Sequence, residues 1–439
     1  QELESGITDP KLKKMAMASL LNTWETTTFL LEDKTTYIIT GDIKAMWLRD
    51  SSCQVEPYLH FADTDPYIKE VLLGLAQKQA FYLCIDPYAN AFNQEATGVE
   101  QFPEDRTAKN PWVFERKFEL DSICHPVRFW WTLWRRTGDR GLFTPMIHEA
   151  LTQVVKVMEI EQHHKQSEYS FERQEGPLSD TLACHGLGTP VADTGMIWSG
   201  FRPSDDACMY HYLIPAQLFA AQTLLYIATI AGFIYDDQPL LHKAQQLRSA
   251  ILSGVESFGK INHPEFGTIY AYEADGLGGI NLMDDANVPS LLSLPYLGVC
   301  YPNDPVYLNT RRFILSRNNP YYSIGRCAKG IGSPHTPDRY IWPISLIIQG
   351  MTSVNPAEAD ELLRMVMATD GGTGLMHEGF NPDDPKQFTR AWFAWANALF
   401  GEWILRRLGF EPYNPLHDPE LLEVSKIHQT ITGGNQCEK

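Results

Sequence analysis

The chain has 439 residues and a formal charge of −18, with 44% hydrophobic and 21% charged residues. Such a composition can bury a large core and contains no bulk that reads as disordered. Its negative charge repels phosphate backbones and anionic lipid, and no Lys/Arg run is long enough to override it, which argues against nucleic acid and membrane surfaces as partners. A neutral substrate held by hydrogen bonds suits this balance better.

In chain order, hydrophobic spacing predicts helices over Leu12–Leu31, Tyr67–Leu83, Phe118–Thr137 and Leu142–Gln162, with a short strand at Thr36–Thr40 after the first. Ile214–Ile230 is apolar almost all round, interrupted chiefly by Gln217, Gln222 and Thr223, as expected for a helix buried on every side. Between Asp236 and Gly259, Leu240, Ala244, Leu247, Ile251, Val255 and Phe258 fall on one face, which predicts an outer helix. A strand at Thr268–Tyr272 follows, then helices over Val306–Leu315 and Tyr340–Gly350. Asn355 suits an N-cap, Pro356 the first helical position and Glu358 the reciprocal cap, and Asp370-Gly371-Gly372 stops that helix. The last helix is predicted over Phe388–Leu408.

Buried helices alternating with amphipathic ones describe two concentric layers in a mainly α chain with a few short strands in its connections. No Pro/Ser-rich linker or break in composition divides it, so one domain is expected over 1–439, with 409–439 as a wrapping extension or a disordered end. No uninterrupted apolar run reaches the ~18 residues of a membrane-spanning helix. The eight cysteines are dispersed without a CxxC pair and read as reduced, mostly buried thiols, which leans towards the cytoplasm. A chain that opens on Gln1 leaves room for a removed leader, so a secreted or periplasmic location stays open. A monomer or weak homo-oligomer is expected.

Five connections combine acidic, basic, aromatic and glycine residues. In Gly41–Ser51, Asp42, Arg49 and Asp50 surround Trp47, and such groups can fork onto vicinal hydroxyls, although a structural Arg–Asp pair explains them equally well. Asp86–Asn93 and Glu115–Ser122 add Asn93, Glu115 and Asp121. In Trp198–Asp206 the adjacent Asp205 and Asp206 precede the helix that Pro215 opens, and neighbouring carboxylates raise one another's pKa, one way to keep an acid protonated near neutral pH. Gly332–Pro343 brings His335 and Arg339 just ahead of a helix. In Gly371–Phe380, glycines on both sides set Glu378 at a loop tip beside His377, with Arg390, Trp392 and Trp395 close behind.

The chain has no P-loop, Rossmann glycine pattern, GxSxG elbow or HExxH motif. Carboxylate chemistry without a cofactor remains, and glycoside hydrolysis is the commonest reaction that needs only that.

Eight segments resemble glycoside hydrolase family 125: TGDIKAMWLRDS (Thr40–Ser51), DPYANAFN (Asp86–Asn93), FERKFELDS (Phe114–Ser122), WSGFRPSDDAC (Trp198–Cys208), MDDANVPSLL (Met283–Leu292), SPHTPDRYIWP (Ser333–Pro343), DGGTGLMHEGF (Asp370–Phe380) and RAWFAWANALF (Arg390–Phe400). The resemblance implies an (α/α)6 barrel, an inverting mechanism without metal or other cofactor, and removal of terminal α-1,6-linked mannose from an oligosaccharide or glycan. It further implies Asp205 as general acid and Glu378 as general base; Asp206 remains a rival for the acid, since adjacent residues point differently and sequence cannot orient them. Arg49, Asp50, Asn93, Glu115, Asp121, Asp206, His335, Arg339, His377 and Trp392 are the candidates for holding the mannose. Family members commonly carry Ser after the His-Glu pair where this chain has Gly379, a difference expected to loosen that loop. A sugar epimerase or lyase on the same barrel, using His335 or His377, and a carbohydrate-binding protein without catalysis are the alternatives.

Overall fold

The computed structural model describes residues 6–425. Its main helices, in chain order, are α1 (Pro10–Thr26), α2 (Leu48–Cys53), α3 (Pro66–Ile85), α4 (Cys124–Thr137), α5 (Pro145–Glu161), α6 (Ile214–Ile230), α7 (Gln238–Phe258), α8 (Pro305–Ile314), α9 (Pro343–Met351), α10 (Pro356–Ala368) and α11 (Ala394–Arg407).

How a helix begins separates these into two rings. α1, α3, α5, α7, α8 and α10 start from Asp9, Asp65, Thr144, Asp237, Asp304 and Asn355, whose side chains each accept a backbone N–H of the first turn, with Pro at the first or second position. α2, α4, α6, α9 and α11 start instead from Trp47, Ile123, Leu213, Trp342 and Phe393, which make no such bond. Burial divides the same way. Every residue of α6 except Gln222 is buried, and α11 is buried from Ala394 to Leu405, whereas α7 buries one stripe that includes Leu240, Ala244, Leu247, Ile251 and Val255.

Among the inner helices, α2 packs on α4, α4 on α6, α9 on α11 and α11 on α2. Between α6 and α9 in the chain, the inner layer is continued by a buried stretch of turns rather than a helix. From that stretch Tyr296 lies under Arg128 of α4 and bonds Glu402 of α11 at 2.9 Å. Outside, α1 packs on α11, α3 on α5, α5 on α7, α7 on α6, and α10 on α9 and α1. The molecule is a mainly α toroid of the (α/α)6 kind.

Short antiparallel strands lie in the connections. Met46–Trp47, Ala91–Phe92 and Val113–Glu115 form one three-stranded sheet, and Tyr212–Leu213, Glu273–Ala274 and Ile280–Asn281 another. Thr28–Leu30 pairs with Thr36–Ile38, so the first predicted helix ends earlier than Leu31. α4 begins at Cys124 rather than Phe118, because the residues before it turn inward as part of a carboxyl cluster. The helix predicted from Phe388 begins at Ala394, since Asp384–Thr389 pairs with Gly379–Asn381 in a hairpin. The helical stretch Ile214–Tyr235 is, by length and composition, apolar enough to cross a membrane, polar interruptions notwithstanding; here most of it is buried inside the toroid.

One hydrophobic cluster runs through the described residues from Ile7 to Val424. Its last members belong to the predicted extension, which packs on the C-terminal end of α4. There Tyr413 accepts the Trp131 indole N–H at 2.7 Å and donates to Asp418 at 2.7 Å, and Arg135 pairs with Asp418 and Glu420. Residues 426–439, Cys437 among them, lie outside the described residues. The seven described cysteines are free, but the expectation that most are buried fails: only Cys53, Cys124 and Cys208 are, while Cys184 and Cys327 sit exposed in connections.

Candidate active site

The starts of three inner helices meet at a cavity of about 410 Å³. Trp47, Arg49 and Asp50 come from α2 and its cap, Trp342 from the cap of α9, and Phe393 and Trp395 from the start of α11. Aromatic caps suit helix ends that open on a cavity, and the positive ends of the helix dipoles converge there. Connections supply the remaining wall, including Glu115, Lys117, Asp205, Asn287, His335 and Glu378.

Arg49 organises the acidic side. It is 3% exposed, and its guanidinium reaches Glu119 at 2.7 Å, Asp205 at 3.1 Å, Asp121 at 3.2 Å and Asp50 at 3.6 Å. One buried cation cannot stabilise the ionised form of four carboxyls equally. Burial pushes Glu119 well above the usual carboxyl range against the pull of Arg49, with Asp205 adding to the rise. Asp121 is pushed up to about 6 by burial, which Arg49 partly offsets. Burial also raises Asp50, against Arg49 and the Thr40 hydroxyl.

Asp205 sits in a tight turn closed by a bridge between Phe201 and Ala207. Its N–H donates to the Arg202 carbonyl at 2.9 Å, and the Arg202 side chain is forked onto buried Glu273 at 2.7 and 3.0 Å. The Lys117 ammonium donates to the Asp205 carbonyl at 2.7 Å. This frame holds Asp205 at φ 68°, a left-handed conformation that Asp tolerates better than most residues, at a cost of ~1–3 kcal/mol. Burial would push its carboxyl up, but the Glu119 hydrogen bond, Arg49, Lys117 and His335 outweigh that and hold it below the usual range. Asp206 points elsewhere: buried, it accepts the Ser204 hydroxyl at 2.8 Å and lies 3.6 Å from His335. There too burial is outweighed, by His335 and Ser204, and the pKa is lowered. The expected mutual raising of the two carboxylates is therefore not met, because each has its own cationic partner.

Glu378 lies at the base of the Gly379–Asn381 hairpin rather than at a loop tip, with its side chain 12% exposed. Arg390 stands 3.6 Å from its carboxylate, donates to the Thr40 carbonyl at 2.9 Å and pairs with Asp42, joining the last loop to the first. Gly379 does not loosen this segment. Its N–H donates to Thr389 Oγ1 at 3.0 Å, and an added Cβ would meet the Trp342 ring at 3.3 Å.

Of the predicted site residues, Arg49, Asp50, Glu115, Asp205, His335 and Glu378 line the cavity. Asp121 and Asp206 stand behind it, orienting Arg49 and His335. Asn93 spends its amide on the Val99 carbonyl, and Arg339 is exposed on the Ile324 carbonyl and Asp383. His377 is buried against Phe388, with both ring nitrogens on the carbonyls of Arg390 and Asp370. Trp392 packs beside Gly41 rather than in the cavity lining. Sequence reasoning missed Lys117, Glu119, Arg173, Asp180 and Asn287. Glu119 and Lys117 carried no signal beyond their place in a quoted segment, and Arg173 and Asp180 none at all.

The family model described as metal-independent α-mannosidase (GH125) matches residues 9–405. The meiotically up-regulated gene 157 protein of Schizosaccharomyces pombe is 41% identical over 396 residues, 86% of this chain and 78% of that one. A metal-independent α-mannosidase of Streptococcus pneumoniae, solved as a non-productive substrate complex with α-1,6-mannobiose, superposes with a TM-score of 0.92 at 43% identity, covering 93% of this chain and 97% of its own. A bacterial glucoamylase complexed with acarbose shares the fold alone, at a TM-score of 0.54 and 13% identity over 94% of this chain and 57% of its own. With a toroid whose inner helices open on a carboxyl-lined cavity, and with the family pattern running through nearly its whole length, the chain belongs to glycoside hydrolase family 125, the metal-independent α-mannosidases.

Proposed function

We propose that the protein removes non-reducing terminal mannose from α-1,6-linked oligosaccharides or glycans with inversion, using Asp205 as the acid and Glu378 as the base. The observation that carries this reading is that both carboxyls line one cavity, yet belong to separate cationic settings: Asp205 with Arg49 and Lys117, Glu378 with Arg390. An inverting glycosidase needs one carboxyl to protonate the leaving oxygen and another to activate water on the opposite face of the sugar. Asp206, turned to Ser204 and His335 and absent from the lining, is the weaker acid candidate. In this reading Arg49, Asp50, Glu115 and His335, which line the cavity, bind sugar hydroxyls, and Trp47, Trp342 and Trp395 offer apolar faces for the ring. The solved relative's α-1,6-mannobiose complex supports the choice of linkage.

Asp205→Ala and Glu378→Gln are each expected to lower mannose release from α-1,6-mannobiose by ~100-fold or more while leaving the circular dichroism unchanged. Near-normal turnover in Asp205→Ala would move the acid to Asp206, and near-normal turnover in Glu378→Gln would remove the base.

A further inference from the structure

A general acid must carry a proton before the glycosidic bond breaks. The surroundings of Asp205 favour its ionised form instead: Arg49 Nη2 lies 3.1 Å from Oδ1, Lys117 sits on its backbone carbonyl, and His335 faces it across the cavity wall. The proton has to come from somewhere close by.

Glu119 is behind Asp205 and shielded from solvent. Its Oε2 accepts Arg49 Nη1 at 2.7 Å and Ser122 Oγ at 2.5 Å, whereas its buried Oε1 meets no N–H or hydroxyl donor. The Glu119 and Asp205 carboxyls sit side by side on Nη1 and Nη2 of the one Arg49 guanidinium, at 2.7 and 3.1 Å, which brings them within reach of one another. Two carboxyls can share a hydrogen bond only if one of them carries a proton. An ionised Glu119 would also add one more negative charge to the Asp50, Asp121 and Asp205 carboxyls around a single Arg49. The neutral form is the one this cluster accommodates.

We propose that Glu119 is the resting holder of the catalytic proton and delivers it through Asp205 to the glycosidic oxygen. The proposal rests on the reading of Asp205 as the acid. As the C1–O bond breaks, its electron pair stays with the leaving oxygen, which takes from Asp205 the proton that Asp205 receives from Glu119, so that both carboxyls of the pair end ionised. Water bonds to C1 through its oxygen and gives a proton to Glu378. The cycle leaves the Glu119–Asp205 pair one proton short and Glu378 one proton richer; release from Glu378 to solvent and uptake by the pair restore the start. Arg49, 2.7 Å from Glu119, stabilises the charge left there during the step. Glu119 touches no substrate in this scheme and is a positioning residue for the proton.

The test compares the unaltered enzyme with Glu119→Gln, Glu119→Asp and Asp205→Asn on α-1,6-mannobiose and on α-mannosyl fluoride, whose leaving group needs no proton. Glu119→Gln is expected to lose ~100-fold in kcat on the disaccharide with little change in KM, to lose less than about 10-fold on the fluoride, and to shift the alkaline limb of the kcat–pH profile. A residue that merely anchors Arg49 would cost both substrates alike. Equal losses on the two substrates, or an unmoved alkaline limb, overturn the proposal. Glu119→Asp covers the case in which Glu119→Gln does not fold: its loss on mannobiose must exceed its loss on the fluoride, and equality again overturns the proposal. If Asp205→Asn loses mannobiose hydrolysis while Glu119→Gln keeps it, only the role of Glu119 falls. If Asp205→Asn keeps it, the acid assignment falls as well.

Discussion

Around the cavity, carboxyl groups outnumber the cations that can reach them, and this imbalance sets the chemistry residue by residue. Arg49 alone meets Asp50, Glu119, Asp121 and Asp205, so otherwise equivalent acids differ according to what else each one touches. His335 shows the converse. Partial desolvation at the cavity wall opposes the charged form, but the hydrogen bond and charge of Asp206, with Asp205 and Glu378 further off, raise its pKa to about 9. A raised pKa means the cationic form is favoured by folding: that contribution is full below the ordinary value of ~6.5 and is lost as the pH climbs through about 9. An NMR titration of the His335 ring is expected to show a midpoint near 9, returning towards ~6.5 in Asp206→Asn; a midpoint near ~6.5 in both proteins would contradict the pairing. At this scale the loops marked Asp205 and Glu378 only as carboxyls among several, and the family resemblance singled them out. Glu119 was hidden because it read as part of a helix, while Asn93, His377 and Arg339, whose residue types suit sugar binding, lie outside the cavity lining with polar groups on backbone carbonyls.

At the scale of elements, the two kinds of helix start explain which boundaries could be read. The outer helices announce themselves with Asp, Asn or Thr followed by Pro, and their predicted starts fall within three residues of those observed. The inner helices start from Trp, Ile, Leu or Phe, so hydrophobic periodicity ran on into the preceding loop. That misplaced the starts of α4 and α11 by six residues each. α6 escaped the error because Pro215 marks its first turn. The polar caps should therefore carry stability and nothing else. Asp65 accepts the N–H groups of both Tyr67 and Ile68, at 2.9 and 3.1 Å. Asp65→Ala is expected to cost ~1 kcal/mol in urea denaturation followed by tryptophan fluorescence, with kcat unchanged. Equal stability of the two proteins would show that the α3 cap contributes nothing.

Over the whole molecule, chemistry and fastening occupy opposite ends of the toroid. α2, α9 and α11 start at the cavity, and α4, preceded by the Asp121 that pairs with Arg49 and about 20 Å long, ends where Tyr413 and Asp418 strap the C-terminal segment onto Trp131 and Arg135. Alternating buried and amphipathic helices made two layers legible, but ring closure depends on contacts between α2 and α11, far apart in the chain, which no local pattern encodes. Only the family resemblance supplied the barrel, the sugar and the linkage. The stereochemistry is open to direct observation: hydrolysis of α-1,6-mannobiose followed by proton NMR from the first moments reads the anomer released before mutarotation mixes the two. β-Mannose appearing first is the expected result. α-Mannose appearing first, or no mannose at all, would contradict an inverting pair made of Asp205 and Glu378.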